Sequence, residues 1–103
     1  MQLTKLVEDG ALFASLNASE RGPVVRELLE SLAAAGRIDE SSVDPLHNAV
    51  MKRERKGSTG FGHGVAVPHA KSAMVDNIRI AVGLSPDGVE FNALDRQPVF
   101  AFF

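Results

Sequence analysis

Hydrophobic positions divide the first third of the chain into a short apolar run and a helix. Residues 11–16 (ALFASL) predict a strand that ends near Asn17 and leads into a helix start. The helix is predicted over residues 21–35, with Gly36 at the position of a C-terminal glycine. Its apolar residues recur every three or four positions and predict one buried stripe, formed by Val24, Val25, Leu28, Leu29 and Leu32.

A second helix is predicted over residues 44–57. Asp44 is expected to be its N-cap and Pro45 its first residue, and Gly57 ends it. The last turn, residues 52–56 (KRERK), is mostly basic and complements the negative end of the helix dipole. The buried face is expected to contain Leu46, Ala49 and Val50.

Beyond residue 69 the apolar period changes to two, which is typical of strands. A half-buried strand is predicted over residues 78–84, with Ile78, Ile80, Val82 and Leu84 alternating with Arg79, Ala81 and Gly83. Residues 85–88 (SPDG) predict a turn, and residues 89–91 a short strand. Residues 99–103 (VFAFF) are all apolar, which predicts a strand in the centre of a sheet. The fold class expected is α/β, a mixed β-sheet flanked by helices.

Composition limits the classes of protein to consider. The chain has 103 residues, which is enough for one domain, 1–103. A net charge of −2 gives no electrostatic reason to expect a nucleic-acid partner. Cysteine is absent, which excludes thiolate catalysis and cysteine-based zinc sites. Acidic residues near the N-terminus and the lack of an apolar stretch of about 20 residues favour a cytoplasmic protein without direct membrane insertion.

The most informative segment is residues 57–70, GSTGFGHGVAVPHA. A loop rich in glycine and hydroxyl groups runs into a short apolar strand, which delivers His69 directly after Pro68. Such a loop can bind an anion, and a neutral imidazole is a nucleophile at pH 7. The segment therefore predicts a phosphoryl group attached to, or passing through, His69. It matches neither Walker A, whose Lys and Ser/Thr are missing, nor the dinucleotide fingerprint, whose third glycine is missing.

Other interpretations of these residues stay open. A histidine after an apolar strand can be an ordinary turn residue, and the glycines can form a tight connection. His63 is expected to be an exposed loop side chain, with assistance to His69 as the alternative. His47 is expected to be structural and partly exposed. Glu54 is expected either to orient Arg53 or to pair with a basic residue on the helix surface. The three histidines lack a tight ligand spacing, and no metal site is expected.

These residues resemble one family. Arg53 and Glu54, the glycine-rich loop and the Pro68-His69 pair are similar to the type-2 IIA domains of the bacterial phosphoenolpyruvate-dependent phosphotransferase system (PTS). That group includes fructose- and mannitol-type IIA domains and nitrogen-regulatory IIA proteins. The resemblance also covers the preceding helices, residues 78–84 and residues 91–103. It implies the fold of mannitol-specific IIA.

The resemblance also implies roles for individual residues. His69 would accept a phosphoryl group from a histidine-containing phosphocarrier protein and pass it to a IIB domain for fructose- or mannitol-type sugar uptake. Arg53 would lie near the phosphate. The loop supplies further candidates for phosphate binding, namely Ser58, Thr59, Gly60, Gly62, His63 and Gly64. No cofactor is expected, because the phosphate arrives covalently bound to a partner protein.

Members of this family continue well beyond the position of Phe103. The domain is therefore expected to lack its C-terminal part, either as a fragment or as a short form whose apolar edge is covered by a second copy. Two other functions are considered. One is a nitrogen-regulatory protein that signals through phosphorylation-dependent binding to a regulatory protein, and the other is a non-catalytic binding module of the same fold.

Overall fold

The computed structural model describes residues 12–70 and 81–103. The described elements are strand β1, helices α1 and α2 with a 3₁₀ turn between them, and strands β2 to β5. Their bounds are β1 Leu12–Ser15, α1 Arg21–Ala34, the 3₁₀ turn Glu40–Ser42, α2 Val43–Lys56, β2 Gly60–Gly62, β3 Val65–Ala66, β4 Ala81–Val89 and β5 Val99–Phe102. The first strand and both helices lie within one residue of their predicted bounds.

Helix α1 buries the predicted stripe against the sheet. Its buried residues are Val24, Val25, Leu28 and Leu32, and Leu29 is partly buried beside them. The helix ends in a Schellman motif, in which Gly36 has a φ of +74°. The N–H of Gly36 donates to the carbonyl of Ala33, and the N–H of Arg37 donates to that of Leu32. These two bonds satisfy carbonyl groups that the end of the helix would otherwise leave free.

Helix α2 begins one residue earlier than predicted, at Val43, so the prediction of Asp44 as N-cap is wrong. The 3₁₀ turn leads the chain into the helix, which places Asp44 inside the first turn. Its carboxylate accepts a hydrogen bond from Arg26 of α1 at 2.5 Å, and this bond raises the pKa of the Arg26 guanidinium above its ordinary value. Pro45 fits the first turn, where a backbone N–H has no partner within the helix.

The five strands form one mixed sheet in the order β1-β4-β5-β3-β2. Strand β4 is parallel to β1 and antiparallel to β5, whereas β3 is parallel to β5 and antiparallel to β2. Strand β5 lies in the centre, as its uninterrupted apolar sequence predicts. The mixed sheet and its helices confirm the α/β class.

The turn predicted at residues 85–88 is wrong, because these residues lie inside strand β4. Its register against β5 shifts over this stretch, because Leu84 pairs with Ala101 and Val89 already pairs with Val99. The turn-forming residues are therefore accommodated as a bulge, in which extra residues leave the ladder and the strand continues. The short strand predicted at residues 89–91 is not a separate element: Val89 ends β4, Glu90 forms an isolated bridge with Glu20, and Phe91 lies outside the strands.

The predicted buried face of the same strand is also wrong at its end. Leu84 is 54% exposed, whereas Gly83 is buried. Gly83 pairs with buried Phe102 and faces Leu28 of α1, so the helix side of the sheet carries the glycine. Residues 78–80 of the predicted strand lie outside the described residues.

The hydrophobic core lies between the helices and the sheet. Phe91 and Phe102 are fully buried and meet edge to face, with ring centroids 5.2 Å apart and planes at 63°. Among the described residues, Val24, Val89 and Val99 are also completely buried. In the described part of the chain, neither helix has the length and hydrophobicity needed to cross a membrane.

Candidate functional site

The glycine-rich segment folds into a tight hairpin. Strands β2 and β3 are antiparallel, and a two-residue turn of His63 and Gly64 joins Gly62 to Val65. Both turn residues have a positive φ, 59° for His63 and 76° for Gly64, as a type I′ hairpin turn requires. Histidine adopts a positive φ more often than most residues do, and glycine adopts it without steric cost. The segment is thus the tight connection that its glycines allow.

Strand β3 is short but has a partner on each side. Its two residues pair with Ala101 and Phe102 of the central strand β5, and Ala66 also pairs with Gly60 of β2. The ladder extends one residue further, where the N–H of Val67 donates to the carbonyl of Thr59 at 3.3 Å. Pro68 and His69 follow directly, so His69 lies just beyond the end of a strand that is held on both edges.

His69 is exposed, and its Nδ1 lies 2.8 Å from the carbonyl oxygen of Val67. A carbonyl only accepts hydrogen bonds, so Nδ1 must carry the proton in this contact. In the neutral ring the other nitrogen, Nε2, then holds the lone pair. The local backbone thereby leaves Nε2 as the ring nitrogen whose lone pair is available to a ligand or an electrophile.

Arg53 lies in the last turn of α2 and is tied to the start of the glycine-rich segment. Its Nη1 donates to the carbonyl oxygen of Gly57 at 2.7 Å. A guanidinium has five N–H donors in a planar fork, and this bond uses one of them. The bond fixes the position of a permanent positive charge beside the segment that leads to His69.

The hydroxyl groups predicted to bind phosphate already have partners in the protein. Ser58 donates to the carbonyl of Phe91 at 3.3 Å and accepts the N–H of Gly60 at 3.0 Å. Thr59 is buried, and its hydroxyl donates to the carboxylate of Glu54. These bonds brace the base of the hairpin.

The remaining candidates lie at the hairpin turn or on α2. His63 is exposed at the turn. The carbonyl of Gly64 accepts the N–H groups of Phe100 and Ala101, at 2.8 and 3.0 Å. His47 is partly buried on α2, with Nε2 3.0 Å from the carbonyl of Gly22. Across residues 12–70 and 81–103, no three histidine, aspartate or glutamate side chains cluster in a way that could hold a metal ion.

Glu54 is the residue whose place the sequence interpretation missed. Only 2% of it is exposed, and its carboxylate accepts both the N–H and the hydroxyl of Thr59. Both predictions for Glu54, a partner for Arg53 and a surface ion pair, are therefore wrong. Its helical spacing carried the signal, because it follows buried Leu46 and Val50 at intervals of four residues on the same face.

The sequence model of the family described as phosphoenolpyruvate-dependent sugar phosphotransferase system, EIIA 2, matches residues 5–103. The chain belongs to this family. It is 36% identical over 103 residues to the fructose-specific EIIABC component of the PTS from Bacillus subtilis. That alignment covers all of this chain and 16% of the relative. The resemblance inferred from the Pro68-His69 motif is confirmed.

Solved structures show the same fold. The nitrogen regulatory protein IIA-Ntr from Neisseria meningitidis superposes with a TM-score of 0.75 at 27% identity, over 89% of this chain and 61% of that one. The IIA component in a complex of mannitol IIA with phosphorylated IIB from Escherichia coli gives a TM-score of 0.65 at 21% identity. This second match covers 88% of this chain and 62% of its counterpart, so the chain spans under two thirds of either structure.

Proposed function

We propose that this chain is a phosphocarrier IIA domain in which Nε2 of His69 accepts and donates a phosphoryl group. The observation that carries the proposal is the hydrogen bond between Nδ1 of His69 and the carbonyl of Val67, in a chain of the PTS IIA family. It leaves the nucleophilic lone pair on Nε2 of an exposed ring. A nucleophile that is neutral at pH 7 needs no separate base to activate it.

The chemistry is a direct exchange between two histidines. The Nε2 lone pair attacks phosphorus on the phosphohistidine of a histidine-containing phosphocarrier protein, and the new N–P bond forms as the old one breaks. The donor nitrogen keeps the electron pair of the broken bond. The ring of His69 becomes a cation, because Nδ1 retains its proton, and the carbonyl of Val67 stabilises that N–H. A cationic ring is also a good leaving group for the next transfer.

The acceptor in the proposed pathway is a IIB domain that serves sugar uptake. Two findings support this choice: the fructose-specific EIIABC relative, and the structural match to a mannitol IIA that was solved with phosphorylated IIB. A fructose- or mannitol-type sugar would therefore be the final acceptor. The domain would act in the cytoplasm, where both protein partners would meet it.

Arg53 is the cation proposed to stabilise the phosphoryl group. Its bond to Gly57 fixes one N–H and leaves a planar fork suited to phosphate oxygens. Ser58 and Thr59 would contact phosphate only by exchanging their present partners, Phe91 and Glu54. Partial neutralisation of the phosphoryl charge suits a carrier protein, since a site that binds phosphate too strongly would not release it.

A second candidate function is nitrogen regulation. The match to IIA-Ntr from Neisseria meningitidis favours it, since that structure has the higher TM-score of the two described. Here the phosphorylation state of His69 would control binding to a regulatory protein. The test is to mix the phosphorylated chain with a IIB domain and to measure where the phosphoryl group ends. Transfer to IIB supports sugar uptake. Phosphate that stays on this chain supports regulation.

The deciding experiment is phosphotransfer followed by mass spectrometry. The chain is incubated with phosphoenolpyruvate, the first enzyme of the system and the histidine phosphocarrier protein, beside the variants His69→Ala and His63→Ala. One acid-labile phosphoryl group is expected on wild type and on His63→Ala, and none on His69→Ala. A folded wild-type chain that takes up no phosphate would refute the carrier proposal and favour a non-catalytic binding module.

A further inference from the structure

A series of three hydrogen-bonded contacts links a buried carboxylate on helix α2 to the imidazole of His69. We infer that Glu54 is a positioning residue which, through the backbone of Thr59 and Val67, holds His69 in its Nδ1-protonated form. The functional meaning of this inference rests on the proposed phosphocarrier role. Its physical content, the control of a tautomer, is separate from that role.

The first contact lies at the junction of α2 and the hairpin. Glu54 is in the last turn of α2, and its two carboxylate oxygens lie 3.1 and 3.2 Å from the N–H nitrogen of Thr59. One of these oxygens also accepts the Thr59 hydroxyl. Hydrogen bonds to a buried carboxylate are stronger than bonds between neutral groups. They fix both the backbone and the side chain of Thr59 against the end of the helix.

The second contact transfers this constraint across the hairpin. The carbonyl of Thr59, in the residue held by Glu54, accepts the N–H of Val67 at 3.3 Å. This bond extends the β2–β3 ladder beyond the pair of Gly60 and Ala66. Pro68 follows Val67 and restricts the ψ of Val67 to extended values, so holding the Val67 N–H also restricts the direction of its carbonyl.

The third contact reaches the ring. The carbonyl of Val67 accepts Nδ1–H of His69 at 2.8 Å, and His69 is exposed. Water competes for an exposed donor, so such a bond persists only where its acceptor is already oriented. Which ring nitrogen holds the proton is set by the hydrogen bond that the ring makes. Loosening Val67 should therefore release the tautomer.

A purely structural role for Glu54 makes a different prediction. If its carboxylate only joins α2 to the hairpin, replacing it lowers stability and speeds amide exchange at Val67 and in the core alike, while the ring of His69 behaves as in wild type. The tautomer populations and the exchange rate of the Val67 amide therefore separate the two roles. The tautomer populations do not follow from stability in a protein that is still folded, and the exchange rate of Val67 is therefore compared with that of amides in the central strand β5, which report global opening.

The experiment uses ¹⁵N-labelled full chain and the ring-nitrogen chemical shifts of its three histidines. Glu54→Leu removes the acceptor at similar volume, Glu54→Gln keeps one acceptor oxygen, and Glu30→Gln changes an exposed glutamate of α1 as the matched control. His47 is an internal reference on α2, and the His69→Ala and His63→Ala spectra assign the signals.

Wild type and Glu30→Gln are expected to show His69 protonated at Nδ1. In Glu54→Leu the Nε2-protonated form should gain population, and the Val67 amide should exchange roughly tenfold faster. Glu54→Gln should lie between them. Folded Glu54→Leu with the wild-type tautomer and exchange rate would overturn the inference, and so would a wild-type ring protonated at Nε2.

If Glu54→Leu does not fold, Glu54→Gln carries the test, because it removes the negative charge and one of the two oxygens that accept the Thr59 N–H. Faster exchange of Val67 and a shifted tautomer are again expected, and unchanged values overturn the inference. No phosphate donor enters these measurements. Failure of the wild-type chain to accept phosphate would therefore refute the proposed function. The tautomer measurement would still test the inference about Glu54.

Discussion

Gly83 of strand β4 has no room for a side chain, because Leu28 of helix α1 occupies the space above it. An ideal Cβ built on Gly83 lies 2.8 Å from Cδ2 of Leu28 and 2.9 Å from the side chain of Leu16. A Cβ at position 83 would therefore force the side chains of Leu28 and Leu16 to move. This contact explains why the alternation along β4 carries a glycine, rather than Leu84, on its buried face.

Replacement of Gly83 by alanine should lower the free energy of unfolding by about 1–3 kcal/mol through overpacking. Gly22, near the start of α1, is the matched control, because a Cβ there meets nothing within 4 Å. Gly22→Ala should raise the free energy of unfolding by about 0.5–1 kcal/mol, since alanine has the higher helix propensity. Urea denaturation measures both, and equal stabilities for the two variants would contradict the packing account.

The positive φ of His63, +59°, predicts that two substitutions at this turn position differ in stability. Asparagine tolerates this conformation, so His63→Asn should keep its stability within about 0.5 kcal/mol and should still accept phosphate. Valine does not tolerate it, and His63→Val should lose about 1–2 kcal/mol. Thermal unfolding compares the two variants. A stable His63→Val would mean that the turn adopts another conformation in solution.

The aromatic pair in the core predicts a large loss of stability. Phe91 is fully buried against Phe102, so Phe91→Ala should cost about 3–5 kcal/mol. Phe61, which is 56% exposed, provides the same substitution at the surface, and Phe61→Ala should cost less than about 1 kcal/mol. Chemical denaturation of the pair tests whether the described core is the one that stabilises the protein. Similar losses at both positions would contradict it.

Removal of the Arg53 side chain is expected to slow phosphotransfer while the stability of the protein changes little. Arg53→Ala should slow transfer to His69 by roughly 100-fold, the usual effect of removing one donor that stabilises developing charge. Arg55→Ala removes an exposed arginine from the same helical turn and should leave the rate close to that of wild type. Single-turnover phosphorylation measures both rates. An equal reduction in the two variants would show that general positive charge, rather than the position of Arg53, matters.

The helices and the central strand follow from periodicity, which is a local property of the sequence. The stripe from Val24 to Leu32 and the apolar run 99–103 each define an element without reference to the rest of the chain. Strand β4 could not be predicted in the same way. Its SPDG sequence favours a turn locally. Pairing with β1 on one side and with β5 on the other nevertheless keeps the strand continuous, and the residues that have no partner in β5 form a bulge.

For the site, sequence order placed His69 at the end of a strand, but it could not supply partners. The hydroxyls of Ser58 and Thr59 suit phosphate by chemistry, yet each has an acceptor within the fold. The basic run around Glu54 predicts a partner for Arg53 or a surface ion pair. The burial of Glu54 depends on how α2 packs, and its bonds to Thr59 depend on the path of the hairpin.

The parallel pairing of β3 with β5 imposes an order on how the protein takes shape as it is synthesised. Helices α1 and α2 contact each other through nearby segments, so they can associate as soon as both have emerged. Strand β3 can pair with β2 early, but its pairing with β5 must wait, because Ala101 and Phe102 are made much later. Pairing between distant segments is slow to form. His69 should therefore acquire its final setting among the last events of folding, and under the proposed function a nascent chain that exposes this histidine should not yet accept phosphate.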